Sequence, residues 1–271
     1  MKSKKLFDFK CSDVYLHHTL TPTPDPEDFS FKSHSHNMVE VYYFLRGNAR
    51  FAVEGKVYEL TRGNIIVMAC GQTHNLMLSD SAAYERIALL IDTESLPLEF
   101  DMISEYVYSG NNIFNLSAKE QCWFEEYVNL IKSSPRELCR GLTLGFASAI
   151  FSLLSTRIDK TAVCEVENSP VKNIIDFINR HLTEELSLDI IARELYTNKA
   201  SLNRKFSAIM GCSIWEYILR RRVFSARQRL SISSSITDAF EHSGFKDYSN
   251  FYRAYKKYVG LSPSEDLKKM K

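Results

Sequence analysis

The hydrophobic period of this chain changes once, and the change divides it. Up to about Asp92, short β-branched and aromatic blocks (VEVYYFLRG, ARFAVEGKVYEL, NIIVMA and RIALLID) are separated by Gly, Asn and Asp. Such blocks read as strands. From about Ser117 apolar residues recur every three to four positions, the period of helices that bury one face. One sheet cannot absorb the second pattern and one bundle cannot absorb the first, so a β-rich part must precede a helical part. Several short strands at this spacing suggest a sandwich or a barrel. Glu54-Gly55 falls between two blocks, where a tight hairpin needs a positive φ that glycine adopts without steric cost.

At 271 residues, 45% hydrophobic and 25% charged, the chain has room for two ordinary globular domains. The basic start MKSKKLFDFK is followed by no apolar stretch of signal-peptide length, so a cytoplasmic location is expected. The uncharged run GLTLGFASAIFSLLST (141–156) is short and rich in small residues, which reads as a buried helix, and no membrane partner is expected. Six scattered cysteines with no C-x-x-C fit reduced structural thiols. Charge is more telling, because residues 169–271 hold 18 Lys and Arg against 11 Asp and Glu, while the rest holds 16 against 22. A basic module attached to an acidic domain fits a polyanion partner.

Ser117-Ala-Lys-Glu120 and Ser134-Pro-Arg-Glu137 both have the spacing of capping boxes, so two helices should follow them. Leu142, Phe146, Ile150 and Leu153 form one apolar stripe, expected to serve either the core or the interface of a homodimer. Periodicity lapses over KTAVCEVENS. The expected division is a barrel over 1–100, a helical dimerisation or linker segment over 101–160, a linker over 161–168, and a basic domain over 169–271.

Within the basic domain one layout occurs twice. Ser187 starts a helix, Thr197-Asn198 breaks it, and Asn198 caps a second helix whose Leu202 and Phe206 face inward. Lys199, Ala200, Asn203 and Arg204 then face outward, as in a helix that reads a major groove. The plan recurs from Ser235, with Gly244 at the turn, Asp247 as cap, and Lys246, Ser249, Asn250 and Arg253 outward. The two units span 187–206 and 235–257, joined by a helix that starts at Ser213-Ile-Trp-Glu216.

Residues 169–267 resemble the DNA-binding domain of the AraC/XylS transcription regulators. Ala192, Leu195, Leu202, Arg204, Phe206, Gly211, Tyr217, Arg222 and Ala226 carry the match, then Gly244-Phe245, Ser249, Phe251, Arg253, Tyr255, Lys256-Lys257, Gly260 and Ser262-Pro263. Tyr196 stands where that family often has glycine, Phe240 where it has a small alanine, and Ser243 where it is apolar. A bulky Phe240 under the second recognition helix predicts that the first unit dominates base reading.

One motif remains, SHSHNMVEVYYFLRG. His34 and His36 share a face of an extended strand, and Glu40 joins them only if the chain turns near Asn37. His34, His36, Glu40 and Gly47, with Gly63, Gly71 and His74, resemble the two cupin motifs. In cupin enzymes those His and Glu positions bind metal, whereas AraC-type regulators similar to the arabinose and rhamnose sensors use the barrel to bind a small effector, commonly a sugar. Three readings of the quartet stay open: a hydrogen-bonding effector pocket, a divalent metal that still only senses, or inherited lining. The resemblance implies a multidomain protein with an N-terminal cupin-like β-barrel followed by helices, and a C-terminal all-α domain with two helix-turn-helix motifs. It also implies double-stranded DNA, a small-molecule effector, a second copy of the chain and, for an activator, RNA polymerase as partners. No residue is proposed as catalytic. The alternative is a cupin metalloenzyme, a dioxygenase or isomerase, fused to a DNA-binding module.

Overall fold

The computed structural model describes residues 3–27, 33–158 and 171–270; the expected linker over 161–168, and Cys164 with it, lies outside the described residues. Backbone contacts divide the chain into two compact units, the first holding the strands and the helices that follow them, the second holding the C-terminal helices together with the short stretch Ser33–His36.

Among the described residues the N-terminal unit has nine strands. These are β1 (Lys4–Lys10), β2 (Val14–Thr21), β3 (Met38–Arg46), β4 (Ala49–Val53), β5 (Lys56–Glu59), β6 (Asn64–Met68), β7 (His74–Leu78), β8 (Tyr84–Asp92) and β9 (Ile113–Asn115). They form a six-stranded sheet in the order β1-β2-β8-β3-β6-β9 and a three-stranded sheet, β5-β4-β7, antiparallel throughout. The turn between β4 and β5 places Glu54 at φ 46 and Gly55 at φ 78, the pair of positive values that a two-residue hairpin demands. β9 takes the sheet beyond residue 100, where the barrel was expected to end.

Alternation along β3 sends its residues to two different cores. Tyr42 and Phe44 join Phe51, Val53, Met68 and Tyr84 between the sheets, while Val39, Val41 and Tyr43 join the helices behind. Those helices are α1 (Asp101–Tyr108), α2 (Ala118–Ser133) and α3 (Arg136–Ser155). The box at the start of α2 forms as expected: Ser117 accepts from the Glu120 amide and Glu120 accepts from the Ser117 amide. The second expected box does not. The Ser134 hydroxyl donates to the Leu130 carbonyl at 2.7 Å, closing α2, and Pro135 stands at the head of α3 without a side-chain cap.

The stripe on α3 is taken up within the chain. Phe146 and Ile150 are fully buried, Leu142 and Leu153 pack against the same core, and Tyr127 of α2 stacks on Phe146 at 4.6 Å. Among the described residues α3 is the one helix long and apolar enough to cross a membrane, and Cys139, Phe146, Ala147, Ile150, Phe151 and Leu154 on it are buried in this core.

The C-terminal unit consists of α4 (Lys172–Arg180), α5 (Leu188–Glu194), α6 (Lys199–Met210), α7 (Ile214–Ser233), α8 (Ile236–Glu241), α9 (Tyr248–Val259) and α10 (Pro263–Lys269). Every cap read from the sequence forms: Ser187, Asn198, Ser213, Ser235 and Asp247 each accept from an amide in the first turn of the helix that follows. Two cores share α7. Its Ile214, Tyr217 and Ile218 pack with Ile191, Leu202 and Phe206, and its Val223, Ala226 and Leu230 pack with Ala239, Phe251 and Tyr255. Buried Arg222, between these groups, donates to the carbonyls of Leu182 at 2.9 Å and Glu184 at 2.7 Å, tying the α4–α5 connection to α7. A Cβ on Gly244 would lie 2.5 Å from the Leu182 carbonyl oxygen, so that turn requires glycine for space as well as for its φ of 81.

Candidate effector site and nucleic-acid interface

Antiparallel partners share a face, so the register identifies what lines the space between the two sheets. Glu40, Tyr42 and Phe44 of β3 lie opposite Leu90, Ala88 and Arg86 of β8, and β2 sets His17 against Ala88 and Thr19 against Arg86. From the smaller sheet His74, paired with Val53, stacks on Phe51 with ring centroids 5.9 Å apart. His74 and Glu40 are both buried, and Nε2 of the imidazole lies 3.5 Å from a Glu40 carboxylate oxygen. The His74 Nδ1 is 3.0 Å from the Gln72 carbonyl, an oxygen that can only accept. Nδ1 therefore carries a proton, which leaves Nε2 directed at Glu40.

Of the expected quartet, Glu40 and His74 meet within the first unit, while His34 and His36 lie in the short stretch grouped with the second. Three imidazoles and a carboxylate suit a divalent transition ion, and the Gln72 carbonyl orients His74 as an outer-shell partner orients a metal ligand. The residues present therefore fit a metal, and they fit a hydrogen-bonding ligand equally well.

Sequence reading missed a second polar group on this inner face. His17 is 8% exposed, and burial, reinforced by the positive charge of Arg86, lowers its pKa to about 4. Burial alone would lower the Arg86 pKa, but the Tyr84 and Tyr42 phenols and the Glu40 carboxylate outweigh it and hold the guanidinium firmly charged. The guanidinium lies 5.6 Å from the centre of the Tyr42 ring, and the Tyr42 and Tyr84 hydroxyls bond to each other. Two buried nitrogens here have no hydrogen-bond partner among the described residues, Nδ1 of His17 and Nε of Arg86. Leaving such a group unpaired costs ~1–3 kcal/mol, and more when it is charged. The signal was present in VYLHHTLT, where a period of two places Tyr15, His17, Thr19 and Thr21 on one face.

In the C-terminal unit most expected DNA-contacting residues stand exposed. Asn198, Lys199, Ala200 and Arg204 are exposed at or near the start of α6, as are Lys246, Ser249, Asn250 and Arg253 around α9. Several already have protein partners: Lys199 pairs with Asp189 at 2.8 Å, Lys246 with Glu185 at 2.7 Å, and Arg253 donates to Asn250 at 2.6 Å. Asn203 departs from expectation. Its carbonyl oxygen accepts from the Ile214 amide at 3.2 Å, so this side chain turns back to secure the start of α7.

Residues 21–113 match the family described as AraC-like ligand binding domain, and residues 191–269 match a helix-turn-helix domain family. The transcriptional activator AarP of Providencia stuartii is 34% identical over 101 residues, which cover 37% of this chain and 75% of AarP. The chain belongs to the AraC family of transcription regulators. The melibiose operon regulatory protein of Escherichia coli K12 is 26% identical over 251 residues, covering 86% of this chain and 82% of that protein. A crystal structure of apo ToxT from Vibrio cholerae aligns over 99% of this chain and 97% of its own, with 16% identity and a TM-score of 0.42. As an AraC-type regulator the chain joins an effector-binding domain to a helix-turn-helix DNA-binding domain, and these relatives favour that reading over a fused cupin enzyme.

For an AraC-type DNA-binding domain the departures noted in the sequence acquire physical form. Tyr196 sits at φ 50 and is 98% exposed, so a tyrosine bears the left-handed turn between α5 and α6 that glycine would adopt freely. Phe240 lies beneath α9 against Phe251 and Tyr248, with centroids 5.6 and 5.4 Å away. Buried Ser243 is satisfied locally, its hydroxyl donating to the Phe240 carbonyl and accepting from the Phe245 amide.

Proposed function

We propose that His34, His36, Glu40 and His74 are where this regulator reads a small effector, a sugar or related metabolite. The observation that carries the proposal is the buried pair of Glu40 and His74, 3.5 Å apart on the inner face of the part of the chain that matches the ligand-binding family. The sugar class is favoured by two relatives, named as regulators of the melibiose and lactose operons. Effector binding shifts the balance between arrangements of the DNA-binding domains in proportion to its preference for one of them. The working form is a cytoplasmic homodimer on paired half-sites of double-stranded DNA, with RNA polymerase as a further partner if the output is activation. Asn198, Lys199, Ala200 and Arg204 of the first unit, and Lys246, Ser249, Asn250 and Arg253 of the second, face the duplex. No catalytic role is assigned to any side chain.

A second reading is favoured by the orientation of His74, whose Nδ1 is held by the Gln72 carbonyl: the same four side chains would hold a divalent transition ion. It would supply a Lewis-acidic anchor for a ligand oxygen.

Thermal denaturation of the purified protein against melibiose, lactose and a panel of other sugars and metabolites tests the proposal. A ligand of the folded barrel raises the melting temperature with the logarithm of its concentration. Glu40→Gln and His74→Gln should abolish that rise. A rise of undiminished size in both variants would place the effector elsewhere.

A further inference from the structure

We infer that the inner face of the barrel carries an oxyanion subsite made by Arg86 and His17, and that the effector presents to it a carboxylate or phosphate group. The inference rests on the barrel being the sensing domain and specifies the ligand chemistry it takes.

Register and hydrogen bonding both support the assignment. His17 and Thr19 of β2 pair with Ala88 and Arg86 of β8, which makes His17 and Arg86 diagonal neighbours on one face, within reach of long side chains. Each keeps one buried nitrogen without a partner among the described residues. A guanidinium can only donate, and a neutral imidazole can place its proton on Nδ1, so the two orphaned positions ask for an acceptor between them. A carboxylate or phosphate oxygen only accepts, carries the complementary charge, and suits the planar fork of arginine. A neutral hydroxyl would fill the gap but bring no charge to the guanidinium, whose nearby carboxylate, Glu40, also faces His74 at 3.5 Å. Tyr42, with its ring 5.6 Å from the guanidinium and its hydroxyl bonded to Tyr84, holds Arg86 in place as a positioning residue.

The competing occupants are a buried water and a neutral ligand, and nitrogen NMR of the Arg86 Nε–H in the full-length protein separates them. The signal is assigned by its loss in Arg86→Lys, or through the backbone if that variant does not fold. Sodium acetate and inorganic phosphate are the probes, with glucose and potassium chloride at matched ionic strength as controls. We expect a saturable shift with a millimolar dissociation constant for at least one oxyanion, acetate marking a carboxylate site and phosphate a phosphate site, and none for either control. In His17→Leu the affinity should fall about tenfold, the loss of one charge-assisted hydrogen bond. Equal response to glucose, or no saturable response to either oxyanion, would overturn the subsite. The outcome is independent of sensing. An Arg86 signal that titrates while DNA affinity ignores every metabolite sinks the sensing proposal and keeps the subsite; a silent Arg86 in a protein whose DNA binding answers a metabolite does the reverse.

Discussion

Asn203 and Arg204 are adjacent on α6, yet their substitution should damage different properties. The Asn203 side chain accepts the Ile214 amide at 3.2 Å, and Ile214 is fully buried at the first position of α7, where no backbone carbonyl within the helix is available to that donor. Asn203→Ala removes the acceptor and strands the amide, at a cost of ~1–3 kcal/mol. For a domain of about a hundred residues that lowers the midpoint by roughly 4–8 °C per kcal/mol. Arg204 is exposed and shows no ion pair among the described residues, so Arg204→Ala should leave the midpoint unchanged. It should instead remove a contact of the kind arginine makes bidentately with guanine, worth ~1–3 kcal/mol of discrimination, or roughly a factor of 5 to 150. The assay pairs calorimetric melting with competition binding, using a site selected from random DNA by the unsubstituted protein against a scrambled duplex. An Asn203→Ala protein that melts normally but loses sequence discrimination would refute the capping role and return Asn203 to the groove.

Arg253→Ala should weaken binding to specific and scrambled DNA alike, because Asn250 already engages the guanidinium and Phe240 occupies the space beneath α9; competition assays showing a larger specificity loss than Arg204→Ala would reverse the ranking of the two units. DNA binding should fall steeply with salt, and a fragment spanning 169–271 should keep that slope, since its excess of 18 basic over 11 acidic side chains supplies the phosphate contacts; a salt-independent affinity would contradict this. If the quartet holds a metal, elemental analysis of the purified protein should find a near-stoichiometric divalent ion that His74→Gln releases, and its absence, with no thermal shift on adding zinc, nickel or manganese, leaves the hydrogen-bonding pocket. His17 has a folded pKa near 4 against an ordinary 6.5, so the unfolded chain takes up a proton first as the solution acidifies. Its contribution to stability is therefore present above about pH 6.5 and lost as pH falls toward 4; His17→Gln should flatten the melting-temperature profile across that window, and an unchanged profile would show that His17 is not buried neutral.

What could be read from the sequence, and what could not, divides along the range of the interactions involved. Helix caps are decided within three residues, which is why Ser117, Ser187, Asn198, Ser213, Ser235 and Asp247 were all legible. Ser134 failed because a second local acceptor, the last turn of α2, competed for the same hydroxyl, a conflict the four-residue pattern does not contain. The stripe on α3 was correctly apolar, but periodicity reveals only that a face is buried, not whether the chain's own Trp123 and Tyr127 or a second copy covers it. His34, His36 and Glu40 stood out because metal-type ligands cluster in sequence at 34, 36 and 40, and the fold sets the remote His74 beside Glu40. His17 and Arg86 were not, since they meet across the β2–β8 ladder from 69 positions apart, and nothing short of the register brings them to one face. The residues that pattern reading overlooks are therefore those whose chemistry depends on strand pairing, and in this barrel they are the buried polar atoms still lacking partners. Full satisfaction of those atoms by the protein itself would have made the inner face a core; that His17 and Arg86 each keep a buried nitrogen without a partner among the described residues is what supports the proposed ligand there.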